Sequence, residues 1–232
     1  MTTIALALQT VWQRLQQSCN AAGRDPSAVT LLAVSKTFGA DAVAAAHAAG
    51  QRAFGENYVQ EAVQKMQATR HLDGLLWHCI GPIQSNKARL VAEHFDWVHT
   101  VDSLRLAQRL SAYRPPQLPP LQVCVQVNID GQATKSGVAP QAALSLCQAV
   151  SDLPQLRLRG LMAIPQPATD FVAACAVFTR VRELFDEIRA AGLPLDTLSM
   201  GMSADLEAAI ACGSTLVRVG SAIFGARNYG PT

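Results

Sequence analysis

The sequence predicts an α/β protein, a single closed (β/α)8 barrel of the TIM type preceded by one additional helix. Three observations lead there. Short apolar runs alternate strictly with segments of helical period, eight times along the chain. The runs are apolar at both parities, as parallel strands are when both faces of their sheet are covered. The 232 residues are enough for one such barrel. An open doubly wound sheet remains the alternative, because the second, fourth and seventh runs are short and weak.

The elements follow in order. Ile4, Leu8, Val11, Leu15 and Cys19 recur at helical spacing and make residues 3–22 an amphipathic helix. "VTLLAVSK" (29–36) is the first strand, followed by an alanine-rich helix over 39–49 that Gly50 ends. "RAFGEN" (52–57) and a helix over 58–69 make the second unit. "LLWHCIG" (75–81) with 84–94 makes the third, and "DWVHTVD" (96–102) with 103–112 the fourth. The proline-rich "RPPQLPP" (114–120) reads as a helix-to-strand loop and not as a domain boundary, because the same alternation runs on either side of it. "LQVCVQVNI" (121–129) with 140–151, and "LRLRGLMAI" (156–164) with the long helix 170–191, are the fifth and sixth units. "TLSM" (197–200) is the seventh strand, with a helix from about 203 to 211, and "TLVRVGS" (215–221) is the eighth. One barrel domain spanning 1–232 is the expectation.

Composition narrows the function. Half of the residues are hydrophobic and 16% are charged, which excludes a disordered chain. A net charge of +2 without a lysine–arginine cluster argues against nucleic-acid binding. The six cysteines are scattered, with no C-x-x-C pair, and read as small buried hydrophobes in a reducing compartment. No apolar run reaches the ~18 residues a membrane span needs, and the start of the chain does not resemble a secretory leader. A cytoplasmic protein acting on a small ligand is expected, without a metal, since no histidines or cysteines stand at ligand spacing.

In such a barrel the chemistry gathers where strands end and helices begin. The residues there are Lys36, Asn57, His78, Met162, Ser199 to Ser203, and Arg218 to Ser221. Lys36 is a candidate nucleophile, since desolvation or a neighbouring cation lowers a lysine pKa enough for Schiff-base chemistry; a solvated strand end is the plainer reading. "SMGMSADLEAA" and "VRVGSAIFGAR" put small residues and hydroxyls after the last two strands, where barrels frequently bind phosphate. The same residues also read as tight turns, with Ser203 as a helix N-cap. Arg218, between two valines, needs a buried partner: a carboxylate of the fold or a ligand. His78 reads more readily as a satisfied core histidine than as a catalytic one. No paired carboxylates stand out.

The motifs "AVSK" (33–36), "FGENYVQE" (54–61), "WHCIGPIQSNK" (77–87), "LRGLMAIP" (158–165), "SMGMSADLEAAI" (199–210) and "VRVGSAIFGAR" (217–227) resemble the pyridoxal phosphate homeostasis proteins, also called the YggS/PROSC family. The resemblance runs from about residue 4 to residue 229. It implies a barrel similar to the amino-terminal domain of alanine racemase, holding pyridoxal 5′-phosphate (PLP) as a Schiff base on Lys36. It also implies Asn57 beside the cofactor ring, and Ser199, Ser203, Gly220 and Ser221 around the phosphate. Arg218 would face the pyridine nitrogen, with His78 and Met162 near the pocket. A guanidinium there disfavours the protonated pyridine and weakens the cofactor as an electron sink.

The expectation is therefore a monomeric PLP carrier in cofactor homeostasis, which hands PLP to apoenzymes and has no substantial turnover. An amino-acid racemase is the alternative. Racemisation needs a base on each face of the substrate, and the tyrosine that serves in alanine racemases comes from an additional domain for which this length leaves no room. An enzyme of phosphorylated metabolites with an unmodified Lys36 is the third possibility.

Overall fold

A computed structural model describes residues 3–225. Eight parallel strands close into a barrel in sequential order: β1 (Thr30–Val34), β2 (Ala53–Glu56), β3 (Leu76–Cys79), β4 (Trp97–Val101), β5 (Leu121–Val127), β6 (Leu156–Ala163), β7 (Thr197–Met202) and β8 (Leu216–Val219), which pairs back onto β1. The helices are α1 (Thr3–Ala21), α2 (Ala40–Ala48), α3 (Val59–Ala68), α4 (Ala88–His94), α5 (Leu104–Tyr113), α6 (Pro140–Ser151), α7 (Phe171–Ala190), α8 (Leu206–Ala211) and α9 (Ser221–Phe224).

Hydrophobic patterning accounts for the ring. Helix α1 buries Leu8, Val11, Leu15 and Cys19 along one stripe and packs against α2, α8 and α9, so it occupies the outer layer beside the short last helix. Ser103 and Asp170 cap α5 and α7 by accepting from Leu106 N and Ala173 N. The proline-rich 114–120 segment joins α5 to β5. Its Arg114 is buried and donates to the carbonyls of Pro119, Ala92 and Phe95.

Residues paired across adjacent strands point to the same face, so the register separates the lumen from the helix side. Leu32, Val34, Ala53, Ile80 and Leu216 form a small apolar cluster apart from the main core, and belong to the lumen. Leu32 pairs with Arg218, Met162 with Ser199, and Gln126 with Met162, which adds these polar residues and Met162 to the interior. Gly160 sits where β6 presses on β7: a Cβ there would stand 1.7 Å from Thr197 O.

Two of the boundaries that differ from the sequence expectation bear on the rim. The seventh strand runs on to Met202 through Gly201, whose φ of +92° side chains disfavour, and α8 begins only at Leu206. The eighth strand stops at Val219, because Gly220 and Ser221 open α9.

Candidate functional site

The rim at the strand C-termini collects Lys36 after β1, Asn57 after β2, Ser203 after β7, and Gly220 and Ser221 after β8. Lys36 is half-buried, and two residues past Val34 it continues the lumen-facing parity of Leu32 and Val34. The next residue, Thr37, has a φ of 70°, a left-handed conformation that is costly for a β-branched residue. Glycine is required at Gly81, and a side chain at Gly220 would be tight. A Cβ on Gly81 would stand 2.3 Å from Asn57 O, and one on Gly220 3.2 Å from Val34 O.

On the β2-to-β6 side of this rim lies a mouth cavity of about 220 Å³ lined by Asn57, Ile80, Gln126, Asn128, Lys135 and Ile164, among others. The 128–138 loop closes one side of it. A bridge between Val127 and Val138 zips the loop base onto β5, the Asn128 side chain donates to Gln132 O at 2.7 Å, and Lys135 Nζ reaches both Asp130 and Ile164 O. The Asn57 Oδ1 atom is buried without a hydrogen-bond partner among the described residues.

Below the rim a polar chain crosses the lumen. Arg218 is buried; its guanidinium donates to Ser199 O at 2.9 Å, Ser199 Oγ at 2.7 Å and Ala163 O at 3.0 Å. None of these acceptors is a carboxylate, and burial pushes the Arg218 pKa down to about 10, so the cation persists at neutral pH. Ser199 Oγ lies 2.9 Å from His99 Nδ1, and His99 Nε2 lies 2.9 Å from His78 Nδ1. Arginine only donates, so Ser199 Oγ accepts from Arg218, and its second lone pair or its own proton links it to His99. Burial lowers the His78 pKa to about 3; burial, then His78 and Arg218, hold His99 well below the usual range. Both rings are neutral.

This chain separates the expected site residues. Met162, Ser199 and Arg218 meet in one lumen layer. His78 departs from the expected place near the rim pocket: it stacks on Trp97 and lines a cavity at the opposite end of the barrel with Thr30, Arg159 and Asp196. The reason is register: β3 ends at Cys79, and His78 pairs with Trp97, the first residue of β4, which runs on to Val101. Ser199 is fully buried and its hydroxyl is committed to Arg218 and His99, which removes it from a direct place around an anion. Ser203 does not cap α8: Asp205 takes that position and accepts from Met202 N, while Ser203 O accepts from Arg14 of α1.

A second polar cluster went unnoticed in the sequence. Lys65 of α3 is buried and donates to Ser35 O and Glu56 Oε1, both at 2.7 Å, and pairs with Glu61 Oε1 at 2.6 Å. Ser35 Oγ also donates to Glu56 Oε1. Burial raises the Glu56 pKa, against the lowering influence of Lys65 and Ser35. The spacing of Glu61 and Lys65, one helical turn apart, is the only trace of this cluster in the sequence. His99 was missed too, although it shares parity with Trp97, two residues before it.

Among the described residues no group of acidic, histidine or cysteine side chains is placed to hold a metal, and no helix is long and apolar enough to cross a membrane. Comparisons with known proteins agree with the architecture. Residues 6–228 match the family described as alanine racemase, N-terminal domain. The pyridoxal phosphate homeostasis protein of Pseudomonas aeruginosa is 59% identical over 230 residues, covering 99% of this chain and 98% of that protein. That of Escherichia coli K12 is 52% identical over 231 residues, covering 99% of each. The structure of PipY from Synechococcus elongatus with PLP bound superposes with a TM-score of 0.82 at 39% identity, covering 96% of this chain and all of that one. With its closed parallel barrel and these near full-length matches, the chain belongs to the alanine racemase N-terminal domain family and, within it, to the pyridoxal phosphate homeostasis proteins.

Proposed function

We propose that this single barrel binds PLP at its C-terminal rim, attached through Lys36, and serves intracellular PLP homeostasis and delivery without substantial turnover. The observation that carries this reading is Arg218, a buried cation whose hydrogen-bond partners are all neutral oxygens. PLP supplies an aldehyde for an amine and a pyridine ring that draws electrons when its nitrogen is protonated. A guanidinium facing that nitrogen cannot accept its proton and opposes its charge. Arg218 therefore suits holding the cofactor better than driving carbanion chemistry.

The rim residues fit the group. Asn57 Oδ1 is an orphaned buried acceptor beside the mouth cavity, suited to a donor the cofactor brings. Gly220 carries no side chain where one would press on Val34, so its backbone can approach an anion closely, with exposed Ser221 and half-buried Ser203 in the same rim. Ser199 acts through Arg218, which it orients, and Met162 packs beneath it. His78 would act only through His99 and Ser199. The absence of a disulfide among the described cysteines suits a reducing cytoplasm, and a monomer passing PLP transiently to apoenzymes completes the proposal.

Borohydride reduction after incubation with PLP, followed by peptide mass analysis, should find a pyridoxyl group on Lys36, and Lys36→Ala should lose it. An unmodified Lys36 would favour the phosphorylated-metabolite reading. Turnover of an amino acid at an ordinary enzymatic rate, abolished by Lys36→Ala, would remove the carrier reading.

A further inference from the structure

Lys36 stands between two residues whose backbones are tied to the same buried ammonium, Ser35 directly and Thr37 through Glu61. On one side Lys65 Nζ donates to Ser35 O at 2.7 Å. On the other, Glu61 Oε1 accepts from Thr37 N at 2.7 Å and from Lys65 Nζ at 2.6 Å. Glu56 Oε1 completes the set by binding Lys65 Nζ and Ser35 Oγ. The three N–H donors of the ammonium thus meet three acceptors, which locks its position on α3. Thr37 holds a φ of 70°, a conformation a threonine keeps only when its surroundings impose it.

We propose that Glu61 is a positioning residue for Lys36: its carboxylate, itself fixed by Lys65, pins the Thr37 N–H in the left-handed turn and thereby aims the Lys36 side chain along the lumen parity of β1. The inference rests on the reading of Lys36 as the PLP-bearing amine. Without the pin, Thr37 relaxes toward an ordinary conformation and the turn that carries Lys36 rotates with it. Glu61 is partly exposed, at the first turn of α3 and on the surface side of the cluster, so its removal leaves the buried Glu56–Lys65 pair in place.

The test compares the parent chain with Glu61→Ala, Thr37→Gly and the double variant. PLP retention is read by titration, the labelled residue by borohydride reduction, and the 35–40 turn by hydrogen exchange. Glu61→Ala should weaken PLP retention on the order of tenfold, the fraction lost when a strained turn is no longer imposed. Exchange at the Thr37 amide should quicken with it. Glycine adopts the left-handed turn without strain, so Thr37→Gly in the Glu61→Ala background should recover most of the lost retention. Retention in Glu61→Ala equal to the parent, with Lys36 labelled in both, overturns the proposal and leaves the PLP reading standing. A loss that Thr37→Gly does not recover, accompanied by a lower melting temperature, shows Glu61 to be merely structural and overturns it as well. Absence of label on Lys36 in the parent sinks the functional reading, and the proposal with it.

Discussion

Two buried polar clusters serve this barrel, and they solve the problem of a buried cation in opposite ways. Outside the barrel wall, Lys65 is balanced by Glu56 and Glu61, so charge meets charge. Inside the lumen, Arg218 has only a hydroxyl and two carbonyls, backed by two neutral histidines. The first arrangement is closed on itself and suits a structural clamp. The second gives the cation only neutral hydrogen-bond partners, with Asp205 acting on it from beyond hydrogen-bond reach, which suits a site for an electron-rich ligand. The difference teaches that burial of charge alone does not mark function here. What marks it is whether the fold pairs the cation directly with a carboxylate.

The largest expected effect comes from breaking the ionic cluster. Lys65→Met leaves Glu56 buried without its cation and should cost about 3–5 kcal/mol of unfolding free energy by urea titration. A loss below about 1 kcal/mol would mean that Glu56 is already protonated, and the contrast between the clusters would collapse.

Arg218→Leu strands the acceptors Ser199 O, Ser199 Oγ and Ala163 O but leaves no unpaired charge behind. It should cost less, about 1–3 kcal/mol, while abolishing tight PLP retention. Equal stability losses for Lys65→Met and Arg218→Leu would show that the two cations are held alike.

The smallest effect sharpens the neutral side of the comparison. A histidine whose folded pKa lies below its unfolded value stabilises fully above the unfolded pKa of about 6.5 and loses that contribution as pH falls toward the folded value. For His78 the window runs from about 6.5 down to about 3. One pH unit below the unfolded pKa, each buried histidine should have cost about 1.4 kcal/mol. His78→Phe, which keeps the stack on Trp97, should remove one of two such contributions. An unchanged acid dependence in that variant would show that His78 is already charged in the fold.

Much of this was legible before the structure. Apolar runs at both parities announced parallel strands, and their regular alternation announced eight units, because covering helices demand that pattern. Lys36, Asn57 and Gly220 were legible from their place at strand ends. His78 was misplaced because the segment 75–81 reads as one longer run, which hides that His78 pairs with the first residue of β4 and so lies toward the opposite end of the lumen. Ser199 was read as a ligand hydroxyl because sequence shows a hydroxyl near a turn and does not show that Arg218 and His99 have already claimed it. Ser203 as a cap failed by a slip of two residues, as β7 runs further than its apolar letters suggest.

The sequence by itself determined the eight strand–helix units, their order and the family, since each depends on local periodicity or on motifs that sit contiguously in the chain, while closure rests on the pairing of β8 with β1. Tertiary structure alone decided which polar groups meet. Ser35, Glu56, Glu61 and Lys65 come from the residue after β1, from β2 and from α3, and His78, His99, Ser199 and Arg218 from four different strands. Hydrogen bonds act over about 3 Å, and only barrel closure brings residues some hundred positions apart, such as His99 and Ser199, within that reach.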